Sequence, residues 1–138
     1  MGERELPFKE LTHKIIGCAM EVHRVMGPGF QEYIYQRALA IEMKAAGIKF
    51  EEEFEIPIHY KGDKIGLRRV DFWIEQNVSL EIKAKSELDN THLAQAINYI
   101  EASNVSTGLL INFGASSLQF KRIHNKILFP AIPKESSE

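Results

Sequence analysis

The chain has 138 residues, 44% of them apolar and 26% charged, which is enough for one ordinary domain with a real core. A net charge of −2 means that the surface as a whole does not advertise nucleic-acid binding, and the single cysteine, Cys18, excludes an intrachain disulfide and fits a reducing, cytoplasmic setting. No signal segment and no apolar run of membrane-spanning length appears, so no membrane partner is expected.

The charge is uneven: residues 61–85 carry six basic and four acidic side chains, while the segments on either side are net acidic. Residues 1–132 read as a single domain, and residues 133–138 as a frayed, disordered tail. The first helix is expected from about Leu6 to Met26, with Leu11, Ile15, Ala19, Val22 and Met26 as its apolar stripe. Cys18 falls within the apolar helical pattern and reads as a small core residue; His13 and His23 fall off the stripe and read as surface residues. Gly27-Pro28-Gly29 breaks the helix.

A second helix is expected from about Phe30 to Ala46, with Gly47 after its end and Ile34, Ala38, Ile41 and Ala45 as its buried stripe. Glu32 lies in the first turn on a different side, above Tyr35 and Leu39, where a carboxylate complements the helix dipole. From Ile48 to Tyr60 the pattern is a long strand, with Ile48, Phe50, Phe54, Ile56, Ile58 and Tyr60 on one parity and Glu51, Glu53, Glu55 and His59 on the other. Pro57 implies an edge position or an irregularity, and Lys61-Gly62-Asp63 is a turn.

Residues 69–85, RVDFWIEQNVSLEIKAK, read as two strands around a turn at Gln76-Asn77. Asp71 interrupts the first strand; Glu81 and Lys83 interrupt the second and share one of its faces. Two carboxylates and an ammonium converging there would be costly unless they bind something, and paired carboxylates attract a hard divalent cation. A tight two-residue turn would put Asp71 opposite Ile82, on the wrong face. A shared site therefore requires an odd-length connection or a bulge. Read locally, the set is either a site or a salt-bridged pair on a wet sheet face. A second Glu-x-Lys, Glu42-Met43-Lys44, falls on a helix and lacks a partner aspartate.

Asp89 and Asn90 are candidate caps for a helix from about Thr91 to Ala102. That helix has an apolar stripe, Leu93, Ile97 and Ile100, and a polar-aromatic one, His92, Gln95 and Tyr99. Residues 107–113 form a nearly continuous apolar run, expected to be a central strand buried on both faces, and residues 118–123 form an edge strand. A helix between a strand meander and a buried strand implies a mixed sheet with helices on its faces.

Asp71, a hairpin, Glu81-Ile82-Lys83, a helix and a buried strand together resemble the PD-(D/E)XK nuclease superfamily. More narrowly, Gly29-Phe30-Gln31-Glu32-Tyr33-Ile34-Tyr35 is similar to the signature of its GxxExxY family. Ile15-Ile16-Gly17, Glu21-Val22-His23 and Gly27-Pro28-Gly29 are similar to that family's opening, and Arg69-x-Asp71, residues 80–84 and residues 108–114 to its later blocks. The blocks cover roughly residues 10–125 in the right order; the first acidic motif is reduced to Val70-Asp71, without a proline.

The resemblance implies an α/β fold with an αβββαβ core and an extra N-terminal helix. It implies Mg2+ (or Mn2+) held by Asp71, Glu81, the Ile82 backbone carbonyl and Glu32. Lys83 would orient the attacking water or stabilise the phosphate, and Gln95 would border the site. Arg69, Lys85, Tyr99 and Tyr35 would contact a DNA or RNA substrate, and a homodimer or protein partner is compatible with so small a chain. The alternative is a module that keeps the fold for binding nucleic acid or protein without turnover.

Overall fold

In a computed structural model, residues 8–128 can be described. Two helices, α1 (Lys9–Met26) and α2 (Glu32–Ala45), lead into three strands, β1 (Phe50–Tyr60), β2 (Asp63–Ile74) and β3 (Val78–Lys83). Helix α3 (Asn90–Ala102) and strands β4 (Thr107–Asn112) and β5 (Gln119–His124) follow. The helix expected to begin near Leu6 is described only from Lys9, and the expected tail at residues 133–138 lies outside the described residues.

The five strands form one sheet in the order β1-β2-β3-β4-β5, mixed as expected: β3 and β4 run parallel and every other neighbouring pair antiparallel. A parallel pair needs a crossover, and α3 is that crossover. Helices α1 and α2 cover one face, packing Ile15, Ala19, Leu39 and Met43 against Phe72, Leu80, Ile82, Leu109 and Ile111. On the other face, α3 packs Ala96 and Ile100 with Ile56, Val70, Leu110 and Ile123. Strand β4 is therefore buried at all six positions, as its continuous apolar run requires. Asp89 caps α3, its carboxylate accepting the His92 amide at 2.9 Å.

Helix α2 corrects the expected stripe. Tyr35, Leu39 and Met43 are buried, whereas Ile41 is 69% exposed and Ala45 is also exposed. Both stripes are apolar, so periodicity alone could not choose between them. The choice rests on Tyr35, whose ring stacks on Phe113 with centroids 4.7 Å apart. Its hydroxyl donates to Gly27 O and accepts from the Phe30 amide. Burying three side chains of this size contributes about 1.5–3 kcal/mol each. His23 is likewise not a plain surface residue: its ring lies 2.9 Å from Ala115 O.

Strands β1 and β2 pair over most of their length, with a register shift between Ile58 and His59. A second irregularity lies where Glu53 would face Asp71. Glu53 adopts φ 54°, and no pair forms there, although Glu52 pairs with Phe72 and Phe54 with Val70. Below this point Phe50, Phe72 and Ile74 pack toward α1 and α2; above it Phe54 and Val70 pack toward α3. Positions of one parity thus change faces across Asp71, so the β1–β2 ribbon turns over at that residue.

Candidate active site

Placement of Asp71 starts at the β2–β3 turn. Glu75 and Gln76 take left-handed backbone angles, φ 52° and 61°, and the Asn77 amide donates to Ile74 O at 2.9 Å. The turn is centred on Glu75-Gln76, one residue earlier than expected, and Ile74 pairs with Val78 across a three-residue connection. That is the odd length a shared site requires. In this register Asp71 falls directly across from Glu81, not Ile82.

The backbone ladder ends one step short of that pair, at Phe72 and Leu80. Beyond it, the Ile82 amide donates 2.7 Å to Asp71 Oδ2 instead of to a strand carbonyl. The carboxylate therefore stands in for the ladder, and its direction is fixed by the main chain of the strand that carries Glu81 and Lys83.

The exit from β3 is held just as closely. The Phe113 amide donates to Lys83 O at 2.9 Å. Asn112 accepts the Lys85 amide at 2.8 Å and donates to Lys85 O at 2.9 Å. Gly114 must remain glycine for packing reasons: a Cβ there would lie 2.5 Å from the backbone of Ala84 and Lys85. Lys83 thus projects from a strand end that is pinned on both sides.

Glu81, Lys83, Arg68, Arg69, His92, Gln95 and Tyr99 line an open cleft of about 310 Å3 between the β2–β3 face and α3. Glu81 is paired with Arg68 at 2.5 Å, and both side chains are largely shielded, 19% and 12% exposed. The Arg68 guanidinium lies over the Tyr99 ring, 4.4 Å from its centroid. Burial pushes the Glu81 carboxyl above the ordinary carboxylate range, opposed by Arg68 and reinforced by the charge of Asp71. Asp71 is raised too, chiefly by burial; the Ile82 amide works against the shift and the Glu32 charge adds to it.

Two facing, desolvated carboxylates that repel each other favour a cation, and all-oxygen donors suit a hard one such as Mg2+ or Mn2+. The donor set is smaller than expected. Among the described residues, no group of three or more His, Cys, Asp and Glu side chains could hold an ion together. Glu32 is exposed at the start of α2 and acts on both carboxylates through charge, but it is not gathered with them into a ligand cluster. A hard ion fits this pair with water and backbone oxygens completing its shell, as Mg2+ commonly keeps several waters.

The remaining expected residues divide. Gln95 and Tyr99 line the cleft from α3. Lys85 is exposed just past the site, and its main chain is the part that is bonded. Arg69 also borders the cleft, but its guanidinium pairs with Glu53 at 2.6 Å, with both side chains more than half exposed. Tyr35 is corrected outright: it is fully buried and cannot lie against a nucleic acid, so its place in the G-x-x-E-x-x-Y segment is to fix the start of α2, and with it Glu32. Arg68 was missed. In a regular strand Arg69, two residues from Asp71, shares its face; the turnover at Asp71 puts Arg68 there instead.

No curated protein matches the chain. The crystal structure of SSO0001 superposes with a TM-score of 0.52 at 20% identity, over 67% of this chain and 48% of that one. The chain thus spans about half of that protein's length, and the likeness is one of fold. A profile of the PD-(D/E)XK nuclease superfamily matches residues 9–123. That span holds all three helices, the hairpin with Asp71, Glu81 and Lys83, and the strand that pins it, and the chain belongs to the PD-(D/E)XK nuclease superfamily.

Proposed function

We propose that this protein is a GxxExxY-type nuclease that hydrolyses phosphodiester bonds of DNA or RNA with Mg2+ or Mn2+, in the cytoplasm. The observation that carries the reading is the three-residue hairpin register with the Asp71–Ile82 bond, which together set two carboxylates across from each other beside Lys83. Asp71 and Glu81, with the Ile82 carbonyl, would hold the ion; when bound, it would supply charge neutralisation at the scissile phosphate and a more acidic water. Lys83, at the pinned end of β3, orients that water and stabilises charge developing on phosphate oxygens. Gln95 and Tyr99 bound the cleft on the α3 side and position the strand, while Glu32 adds negative potential that favours the cation. Most of the rate would come from positioning and charge stabilisation.

One observation favours a binding module instead: Arg68 pairs with Glu81 and neutralises it. The two readings separate in one experiment. Wild type, Asp71→Asn and Lys83→Ala are titrated with Mg2+ and Mn2+, following melting temperature and cleavage of DNA and RNA. Wild type should be stabilised by about 2.7 kcal/mol when the ion is a hundredfold above its Kd, and less at acid pH, where the carboxylates take up protons. Asp71→Asn should weaken that effect and abolish cleavage. Lys83→Ala should keep the ion and lose about 10²–10³-fold in cleavage. A wild-type protein that neither gains stability from either ion nor cuts either nucleic acid belongs to the binding module.

A further inference from the structure

We propose that Arg68 is a resident counter-ion that the metal must displace: it holds Glu81 in the ion-free protein, competes with the divalent cation for that carboxylate, and once displaced serves the substrate phosphate. The inference rests on the metal-site reading above. Guanidinium and dication are both positive, so they cannot share one carboxylate without repulsion at close range.

Arg68 is well placed for such an exchange. It lies on β2 beyond the point where the β2–β3 ladder ends, so no backbone bond there ties it to Glu81. Among the described residues, Glu81 is its ion-pair partner, and that carboxylate is one of the two expected to take the metal. The Tyr99 ring gives the displaced guanidinium a second favourable surface, since a cation over an aromatic face is stabilised without a counter-charge. Arginine does not lose its proton, so its release leaves a permanent cation in the cleft beside Lys83. A planar fork of donors of this kind matches phosphate oxygens.

The test uses the whole protein, free of metal at the start. Mn2+ binding is measured by calorimetry at neutral pH for wild type, Arg68→Gln, Arg68→Lys and Glu81→Gln. Binding of a single-stranded oligonucleotide is measured in Ca2+, as a probe of the loaded site without turnover. Arg68→Gln should bind Mn2+ about tenfold tighter and the oligonucleotide about tenfold more weakly. Arg68→Lys should fall between it and wild type, and Glu81→Gln should lose Mn2+. Opposite movements are the signature, since a purely structural role for Arg68 would weaken both. Unchanged or weaker Mn2+ binding by Arg68→Gln overturns the exchange while leaving the metal site intact. Tighter Mn2+ with unchanged oligonucleotide binding overturns the transfer to phosphate. If wild type itself binds no Mn2+, both this inference and the nuclease reading fall. Should Arg68→Gln fold poorly, Arg68→Met carries the same comparison, since it removes the charge while keeping an apolar stem against Tyr99.

Discussion

Two glycines in the block from residue 108 to 114 look alike in the sequence and differ in what they tolerate. A Cβ on Gly114 would lie 2.5 Å from the backbone of Ala84 and Lys85, which cannot move without disturbing the strand end that carries Lys83. A Cβ on Gly108 would lie 2.6 Å from Cδ1 of Ile100, the flexible end of a side chain. Gly114→Ala should therefore cost more than the usual 1–3 kcal/mol of overpacking, and Gly108→Ala about that amount or less. Urea denaturation of both variants checks the order; equal costs would contradict the close approach at Gly114. At this scale Asp71, Glu81 and Lys83 stand out in the sequence as candidates, because charged residues interrupt a β-branched strand pattern there. Arg68 was not, since its role depends on a face change that no local pattern announces, and Tyr35 was misread because a buried tyrosine and a stacking one share the same helix position.

The elements themselves were legible, and their boundaries fall close to expectation. What periodicity could not settle was which apolar stripe of α2 faces inward, because the answer lies in Phe113, nearly eighty residues away. The β2–β3 turn is the element on which the site depends. Glu75 and Gln76 both hold left-handed angles, which cost a residue with a Cβ about 1–2 kcal/mol. Glu75 recovers part of this by accepting the Lys49 amide at 3.1 Å. Gln76 has no such bond among the described residues. Gln76→Gly should thus raise stability by about 0.5–1 kcal/mol and leave any cleavage unchanged. A melting temperature that falls, with the register intact by NMR, would refute the strain at Gln76.

The whole molecule is a sheet covered by helices on both faces, and the order of elements was enough to anticipate that. Its response to acid has an identifiable contributor on β5. Both ring nitrogens of His124 are buried without a hydrogen-bond partner. Burial lowers the pKa of this histidine from 6.5, with the charge of Arg122 adding to the effect. A base with a depressed pKa takes up protons more readily in the unfolded chain. The stability it confers is therefore present above 6.5 and is lost as the pH falls below that value. His124→Phe should flatten the acid side of the stability profile relative to wild type. Denaturant midpoints across a pH series measure this, and parallel profiles would rule His124 out. The candidate site, by contrast, was only partly visible at this scale: the mixed sheet could be expected, but not the turnover at Asp71.

That turnover also bears on how the molecule keeps to itself in a crowded solution. Strand β1 is an edge of the sheet, eleven residues long, and such an edge is a template on which other chains can align. Glu53 breaks its extended backbone, Pro57 removes a donor, and Glu51, Glu52, Glu53 and Glu55 are all exposed along it. Two copies brought edge to edge through β1 would meet acid against acid on a kinked ribbon. The opposite edge, β5, is short and exposes Lys121 and Arg122, so it repels its own kind in turn. The irregularity opposite Asp71 thus also discourages the sheet from growing into an aggregate.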